Sequence, residues 1–429
     1  MSVHGSSVDA LTLSRRAFLR LCALSCGVLA TSNLTYLAGC ASTRPRAFAP
    51  RRRVLADLHA HPQLAEWIEH EPVSVKIPGL AGTADAFLNT TQITWEACHR
   101  AGVDLLCVAH YNPFDELASM ATDPSIDAPR NLFRMMDQLE ERLEHPGLER
   151  YARLVRNRTE LEALVSIPKN SPDYRIAVVH AVEGAHALGG SPKPLAELAR
   201  RGVFTISVAH FFDKGLVSAA NAIPYFPDAG SGPALTGLTE RGREVIQEME
   251  RLGMVVDVTH ASREGIDDIL KVAKGPVIAT HAGARTLGHH PYNLVDEHLE
   301  EIARRGGLIG IPLYPYMLSN YTQVAEAEAN GSLLEIARTV AFVRRLLART
   351  SGLGRAPHAC IALGTDFGGY IPRIKGMQDL AEIELLRKAI TERLEHDPAL
   401  ADQDVAPMLD AIMAENAISF LRDNWGLSR

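Results

Sequence analysis

The sequence is short of what several functions require. Aromatic residues are 6% of its 429, with three tryptophans, too few to build a surface on which bases stack. Neither sign of charge dominates: 44 Lys and Arg against 51 Asp and Glu leave −7, so nothing global points to nucleic acid. Cysteine is sparse at six, and a chain of this length buries a large core without a disulfide framework. No apolar run is long and pure enough to be a spanning helix. The glycine-rich stretch GSGPALTG (230–237) lacks the Gly-Lys-Ser/Thr that a phosphate loop needs. Segment 54–65 has no glycine, which excludes a dinucleotide-binding turn after the first strand. What remains is an ordinary globular composition, 46% hydrophobic and 22% charged, which excludes wholesale disorder, collagen and coiled coil.

The first forty residues read as an address. Paired arginines in Ser14-Arg15-Arg16-Ala17-Phe18-Leu19-Arg20 precede an apolar stretch, 21–30, too short and too polar to cross a bilayer. The pair resembles a twin-arginine export signal, and Leu37-Ala38-Gly39-Cys40 resembles a bacterial lipobox. The expectation is a signal peptide over 1–39, cleavage before Cys40, lipidation of its thiol, and a lipid anchor to the cell envelope on its periplasmic or outer face. Residues 40–53 are rich in arginine and read as a tether near anionic lipid; 54–429 read as one domain. Cys98, Cys107 and Cys360 remain in that domain. Cys107 and Cys360 lie in apolar runs and are expected as buried free thiols.

Beyond residue 50, β-rich runs alternate with amphipathic helical stretches. The runs are 54–59, 103–109, 176–182, 203–209, 254–259, 277–280, 307–313 and 359–365. The helical stretches include 93–100, 129–144, 193–200, 239–252, 263–273, 297–305, 331–350 and 377–395. Gly202, Gly253 and Gly306 fall where a helix ends and a strand opens. This alternation means parallel βα units, and eight strands fit a (β/α)8 TIM-type barrel with long βα loops better than an open sheet.

In such a barrel the chemistry sits where strands end. The first strand ends in Asp57-Leu58-His59-Ala60-His61, whose two imidazoles lie at i and i+2 on one face and can reach one metal ion. Later strands end in Glu183, His210, His260, His281 and Asp366. A lone strand-end histidine is usually a packed or loop residue, but so many in phase form a constellation. Imidazoles around a carboxylate suit zinc or a similar divalent ion.

These residues resemble the amidohydrolase superfamily, and within it the renal-type membrane dipeptidase family. The resemblance is carried by VEGAHAL (182–188), GLTERGREVIQEMERLGMVVDVTHAS (237–262), PVIATHAGA (276–284), HHPYNLVDE (289–297), LGTDFGGY (363–370) and AENAISFL (414–421). It is weak over 62–95, 111–127 and 314–355. The resemblance implies a hydrolase with two divalent ions, zinc being expected. His59 and His61 would hold the first, His260 and His281 the second, and Glu183 would bridge them. His210 would meet the substrate carbonyl and its developing oxyanion, and Asp366 would carry the proton. It implies a small dipeptide-like substrate and leaves a homodimer open.

Two positions depart from the family's pattern. Its His-x-Asp is here His59-x-His61, which adds about one positive charge to the site. Where the family places the Arg that grips a dipeptide's carboxylate, this chain has Tyr292; Arg285 is the nearby cation that could substitute. His110, at the end of the second strand, is a candidate for lining the substrate pocket, with a backbone-bonded loop histidine as the alternative. His186 is a candidate to orient Glu183, His180 is expected inside the packed barrel, His289 and His290 in a solvated loop, and Asp257 in a strand-end hydrogen bond. Two other readings stay open: an amidohydrolase of another amide, lactam or lactone, and a lipoprotein that only binds its ligand.

Overall fold

A computed structural model describes residues 55–64, 67, 93–118, 127–213, 215–220, 236–321, 324–369, 371, 374–377 and 379–427, with the strand pairs 12–13 and 75–76. Thr12–Leu13 pairs antiparallel with Val75–Lys76. Cys40, the rest of the leader and the tether lie outside the described residues.

Eight parallel strands form the frame: β1 (Ala56–Ala60), β2 (Leu105–His110), β3 (Ile176–Glu183), β4 (Thr205–Ser207), β5 (Val255–Asp257), β6 (Val277–Ile278), β7 (Ile309–Ile311) and β8 (Ile361–Leu363). β1 to β6 pair in sequence order, and β7 pairs with β8. Two seams close the ring. Ala279 donates to the Leu308 carbonyl (3.0 Å) and accepts from Gly310 (2.8 Å), joining β6 to β7. Asp366 donates to the His59 carbonyl (2.9 Å) and His61 to that of Phe367 (2.8 Å), joining the end of β8 to β1. The result is the closed barrel that the strand count predicts. An extra short strand, Ala152–Leu154, pairs with β3 outside this order.

The strands carry near-continuous apolar runs because both faces are covered. Alternate residues separate into two layers. Leu58, Leu105, Cys107, Val179, Phe204, Val255, Ile278, Leu308 and Ala362 meet in one cluster, to which all eight strands or their first flanking residues contribute, so these fill the barrel. The C-terminal Phe420, Leu421 and Trp425 join them. The other alternation, such as Leu106, Val108, Val178 and Val256, packs outward under the helices. Several helices begin where the sequence supplies a capping side chain. Thr239 accepts from Gly242 to open Glu240–Arg251, and Ser262 accepts from Gly265 to open Arg263–Val272. Cys107 and Cys360 are buried free thiols, as expected, and so is Cys98. Among the described residues no helix is long and apolar enough to cross a membrane.

Candidate metal centre

The C-terminal ends of the strands bring His59, His61, Glu183, His210, His260, His281 and Asp366 into one chamber. Glu183, the last residue of β3, stands at its middle. Its Oε1 lies 3.1 Å from His260 Nε2, 3.3 Å from His59 Nε2, 3.5 Å from His281 Nε2 and 3.7 Å from His210 Nε2. Its Oε2 lies 3.4 Å from His61 Nε2. Asp366 Oδ1 approaches His61 Nε2 to 3.5 Å and His59 Nε2 to 4.0 Å. Overlapping trios of these residues place their ligand atoms within 4.8 Å of one another.

The donor chemistry fits divalent ions. His59 Nε2 faces His61 Nε2 at 3.1 Å, and His260 Nε2 faces His281 Nε2 at 2.9 Å. Two neutral imidazole nitrogens pointed at each other can share one hydrogen bond at most, whereas a cation between them satisfies both. Tetrahedral zinc with bonds near 2.0–2.1 Å sets its ligand nitrogens about 3.3 Å apart. The field points the same way. Burial pushes His59 down, but the charges of Glu183, Asp366 and Asp257 outweigh it and lift His59 to about 9. Burial opposes the Glu183 charge, yet His210 and His59 hold its carboxyl well below the usual range. His281 is driven well down by burial and by His59 and His260. The centre therefore keeps an anionic carboxylate among imidazoles and favours positive charge.

Backbone strain marks the same place. Among the described residues, His260 (φ 70°) and Asp366 (φ 62°) are the non-glycine residues in the left-handed region. Each conformation costs about 1–3 kcal/mol and is held by surrounding structure. Beside Asp366, a Cβ on Gly369 would sit 2.2 Å from its Oδ1 and 2.9 Å from His61 Cδ2, so only glycine leaves that side of the chamber open.

Partners outside the ligand set were not legible in the sequence. Glu116, buried in helix Pro113–Ala118, accepts from Tyr111 Oη (2.9 Å), Phe211 N (3.0 Å) and Phe212 N (3.3 Å). Its Oε2 lies 2.6 Å from His210 Nδ1. Burial lowers His210, but Glu116 and Glu183 outweigh it and the imidazole is raised. Asp57 accepts from Thr365 N (2.8 Å), Thr365 Oγ1 (2.6 Å) and His59 N (3.1 Å), stitching β8 to β1 beneath the chamber. No spacing signal picks out Glu116, because 111–127 departs from any pattern the chain otherwise follows.

The remaining candidates take other places. His110 meets Gln63 (2.8 Å) and His180 (2.8 Å), and His180 in turn meets the half-buried Glu140 (3.2 Å). His186 lies edge-on to Tyr111, ring centroids 5.8 Å apart. His289 and His290 do lie in a loop; His289 is exposed, while His290 is half-buried with its ring against Tyr292 and Tyr316. Tyr292 is buried and packs edge-on against His260, centroids 4.3 Å apart. Arg285 is exposed and donates to the Pro291 carbonyl at 3.4 Å; with Arg263, Tyr292 and Asn293 it lines a surface cavity of about 270 Å³.

A closed parallel barrel whose C-terminal mouth gathers imidazoles around one carboxylate is the architecture of metal-dependent hydrolases. The family described as membrane dipeptidase, peptidase family M19, matches residues 86–409. The chain belongs to that family. It is 26% identical over 250 residues to dipeptidase tcpJ of Claviceps purpurea, covering 58% of this chain and 51% of that one. It is 28% identical over 219 residues to dipeptidase aclJ of Aspergillus oryzae, covering 51% and 47%. The chain thus spans about half the length of the curated relatives it matches. Among solved structures, a metallopeptidase of Rhodobacter sphaeroides carrying a phosphinate mimic of L-Ala-D-Ala superposes with a TM-score of 0.63 at 20% identity, covering 87% and 100% of the two chains. The probable dipeptidase PvdM of Pseudomonas aeruginosa gives 0.63 at 15% identity, covering 86% and 95%. Both share the fold.

Proposed function

We propose that this protein is a binuclear metal-dependent hydrolase of dipeptides or closely related small amides. The observation that carries the reading is the convergence of His59, His61, His260 and His281 on Glu183, with Asp366 at the edge of the same chamber. His59 and His61 would hold one ion, His260 and His281 the other, and Glu183 would be shared; zinc suits these ligands. Such ions supply a water acidified to about pH 7 and polarisation of a carbonyl. The chain does the rest. Asp366 takes the proton of the attacking water on its carboxylate and delivers it to the leaving amine. His210, its Nδ1 held by Glu116, directs Nε2 at the carbonyl oxygen where negative charge develops as the water oxygen bonds to the carbonyl carbon; that charge returns to the carbonyl as the carbon–nitrogen bond breaks and the amine leaves with the proton from Asp366.

The test pairs elemental analysis of freshly purified protein with a screen of dipeptides, including those with D-residue C-termini, against lactones and cyclic amides. About two divalent ions per chain and hydrolysis abolished by chelation are expected. Active protein free of metal would overturn the reading.

We also propose export and anchoring through Cys40, supported by the Arg15-Arg16 pair and the Leu-Ala-Gly-Cys stretch. Cys40→Ser should move the protein from the membrane to the soluble fraction; unchanged membrane association would refute it.

A further inference from the structure

The geometry points to Thr280 as the positioning residue that holds one ligand of each metal position at the same time, an inference that rests on the two-metal reading above. Thr280 lies two residues beyond β6 and is fully buried. Its backbone N–H donates to Thr259 Oγ1 (2.9 Å) and Asp257 Oδ1 (3.1 Å). Its carbonyl is pressed from both sides, since a Cβ on Gly310 or Gly364 would come within 1.9 or 1.7 Å of it. The side chain therefore has little freedom to move.

The hydroxyl has one proton to give. Asp257 Oδ2, 2.6 Å away, can only accept, so the proton goes there. Asp257 is kept an acceptor by Ser207 Oγ (2.6 Å) and by Thr259 Oγ1 (2.6 Å) and N (2.9 Å), all of which donate to it. The lone pairs of Thr280 Oγ1 are left facing two imidazoles, His281 Nδ1 at 3.0 Å and His59 Nδ1 at 3.3 Å. An oxygen that has already spent its proton needs N–H at both positions. With a cation in the chamber each ring would be neutral and have one N–H, so N–H at Nδ1 leaves a bare Nε2 lone pair for the ion.

His59 and His281 belong to different pairs. Among the described residues their pair-mates have no such anchor: His61 Nδ1 and His260 Nδ1 are buried and find no hydrogen-bond partner there. One hydroxyl thus sets the ring orientation of one ligand in each position, and its loss should weaken both ions together.

The test is Thr280→Val, which keeps the shape and removes the hydroxyl, beside Thr280→Ser, which restores it. The full chain is loaded with zinc and dialysed against graded chelator buffers, and the zinc remaining per chain is measured. Wild type and the serine variant should retain zinc alike. The valine variant should release both ions in one step, with affinity lower by about 10–100-fold, the range for loss of an outer partner. Retention of wild-type affinity, or loss of one ion alone, would overturn the inference. Wild-type protein that takes up no zinc would instead overturn the two-metal reading itself. A second readout needs no variant: nitrogen-15 spectra of histidine-labelled, zinc-loaded wild type should place the ring proton of His59 and His281 on Nδ1, and a proton on Nε2 of either would refute the proposal.

Discussion

His210 Nδ1 lies 2.6 Å from Glu116 Oε2, and both side chains are buried at the mouth of the barrel. A carboxylate only accepts, so the imidazole donates through Nδ1 and turns Nε2 to the chamber. Glu116 receives three further donors, from Tyr111 and from the backbone of Phe211 and Phe212. Glu116→Gln would set an NH2 group against donors, either His210 Nδ1 and Tyr111 Oη or the backbone N–H of Phe211 and Phe212. We expect turnover to fall on the order of 100-fold, the scale for losing one oxyanion donor, with metal content unchanged. Steady-state kinetics with elemental analysis on the same preparation checks this, and full turnover would remove Glu116 from its positioning role.

Asp366 is held at φ 62° with Oδ1 3.5 Å from His61 Nε2. Asparagine tolerates the left-handed region as well as aspartate does, so Asp366→Asn changes the charge and spares the backbone. The variant should keep its metal and fold while turnover drops by about 10²–10⁴, the usual contribution of a positioned acid–base. Asp366→Ala should in addition lower the melting temperature, because alanine has no polar group to compensate the strained backbone. Near-normal turnover in the asparagine variant would assign the proton to another group.

The frame of this site was legible because it is periodic. Eight apolar runs, six of them stopping at the candidate residues His59 and His61, Glu183, His210, His260, His281 and Asp366, mark strands that end at a mouth, and all eight strands form. What stayed hidden was set by tertiary approach. Nothing in the local sequence of Pro113–Ala118 says that Glu116 reaches His210, 94 residues away, or that Thr280 meets His59, 221 residues away. His110 shows the limit of spacing from the other side. Its place at the end of β2 matches the pattern of the ligands, yet its ring is taken by Gln63 and His180. Spacing reports which residues stand at a strand end, not which neighbours satisfy them.

His290, outside the ligand set, gives a pH prediction for stability. Burial against Tyr292 and Tyr316, with His260 and Arg285 nearby, lowers it from 6.5 to about 3. The folded protein keeps this ring neutral while the unfolded chain takes up a proton below about 6.5. The unfolded state then binds more protons, so stability falls as pH drops from about 6.5 toward 3, by up to about 1.4 kcal/mol per pH unit from this group. His290→Phe should remove that share of the slope. Urea midpoints of chelator-treated wild type and variant at pH 7 and pH 5 test it; parallel pH dependence would show that His290 stays accessible to protons in the fold.

Tyr292 carries a prediction about substrate choice. A dipeptidase must recognise a free carboxylate near the scissile amide, and a guanidinium does so through paired charge-assisted hydrogen bonds, each worth about 1.5–3 kcal/mol. Here the position is filled by an aromatic ring packed against His260 at 4.3 Å, which offers no charge. Arg285 is exposed and bonded to the Pro291 carbonyl. His61 in place of an acid adds positive charge, but that charge acts at the metal-ligand centre, where the carbonyl reacts, and not on a carboxylate several ångströms off. Wild type should therefore be weak on ordinary dipeptides and better on amides whose carboxylate is absent or masked. Tyr292→Arg should raise kcat/KM for a free dipeptide by about 10-fold or more, the return of a single charged hydrogen bond, and should leave its C-terminal amide little changed. The comparison is a matched dipeptide and amide on both proteins. If wild type already prefers the free acid by about 100-fold, worth roughly 2.7 kcal/mol, a cation does reach the carboxylate. Arg285→Ala should then abolish the preference.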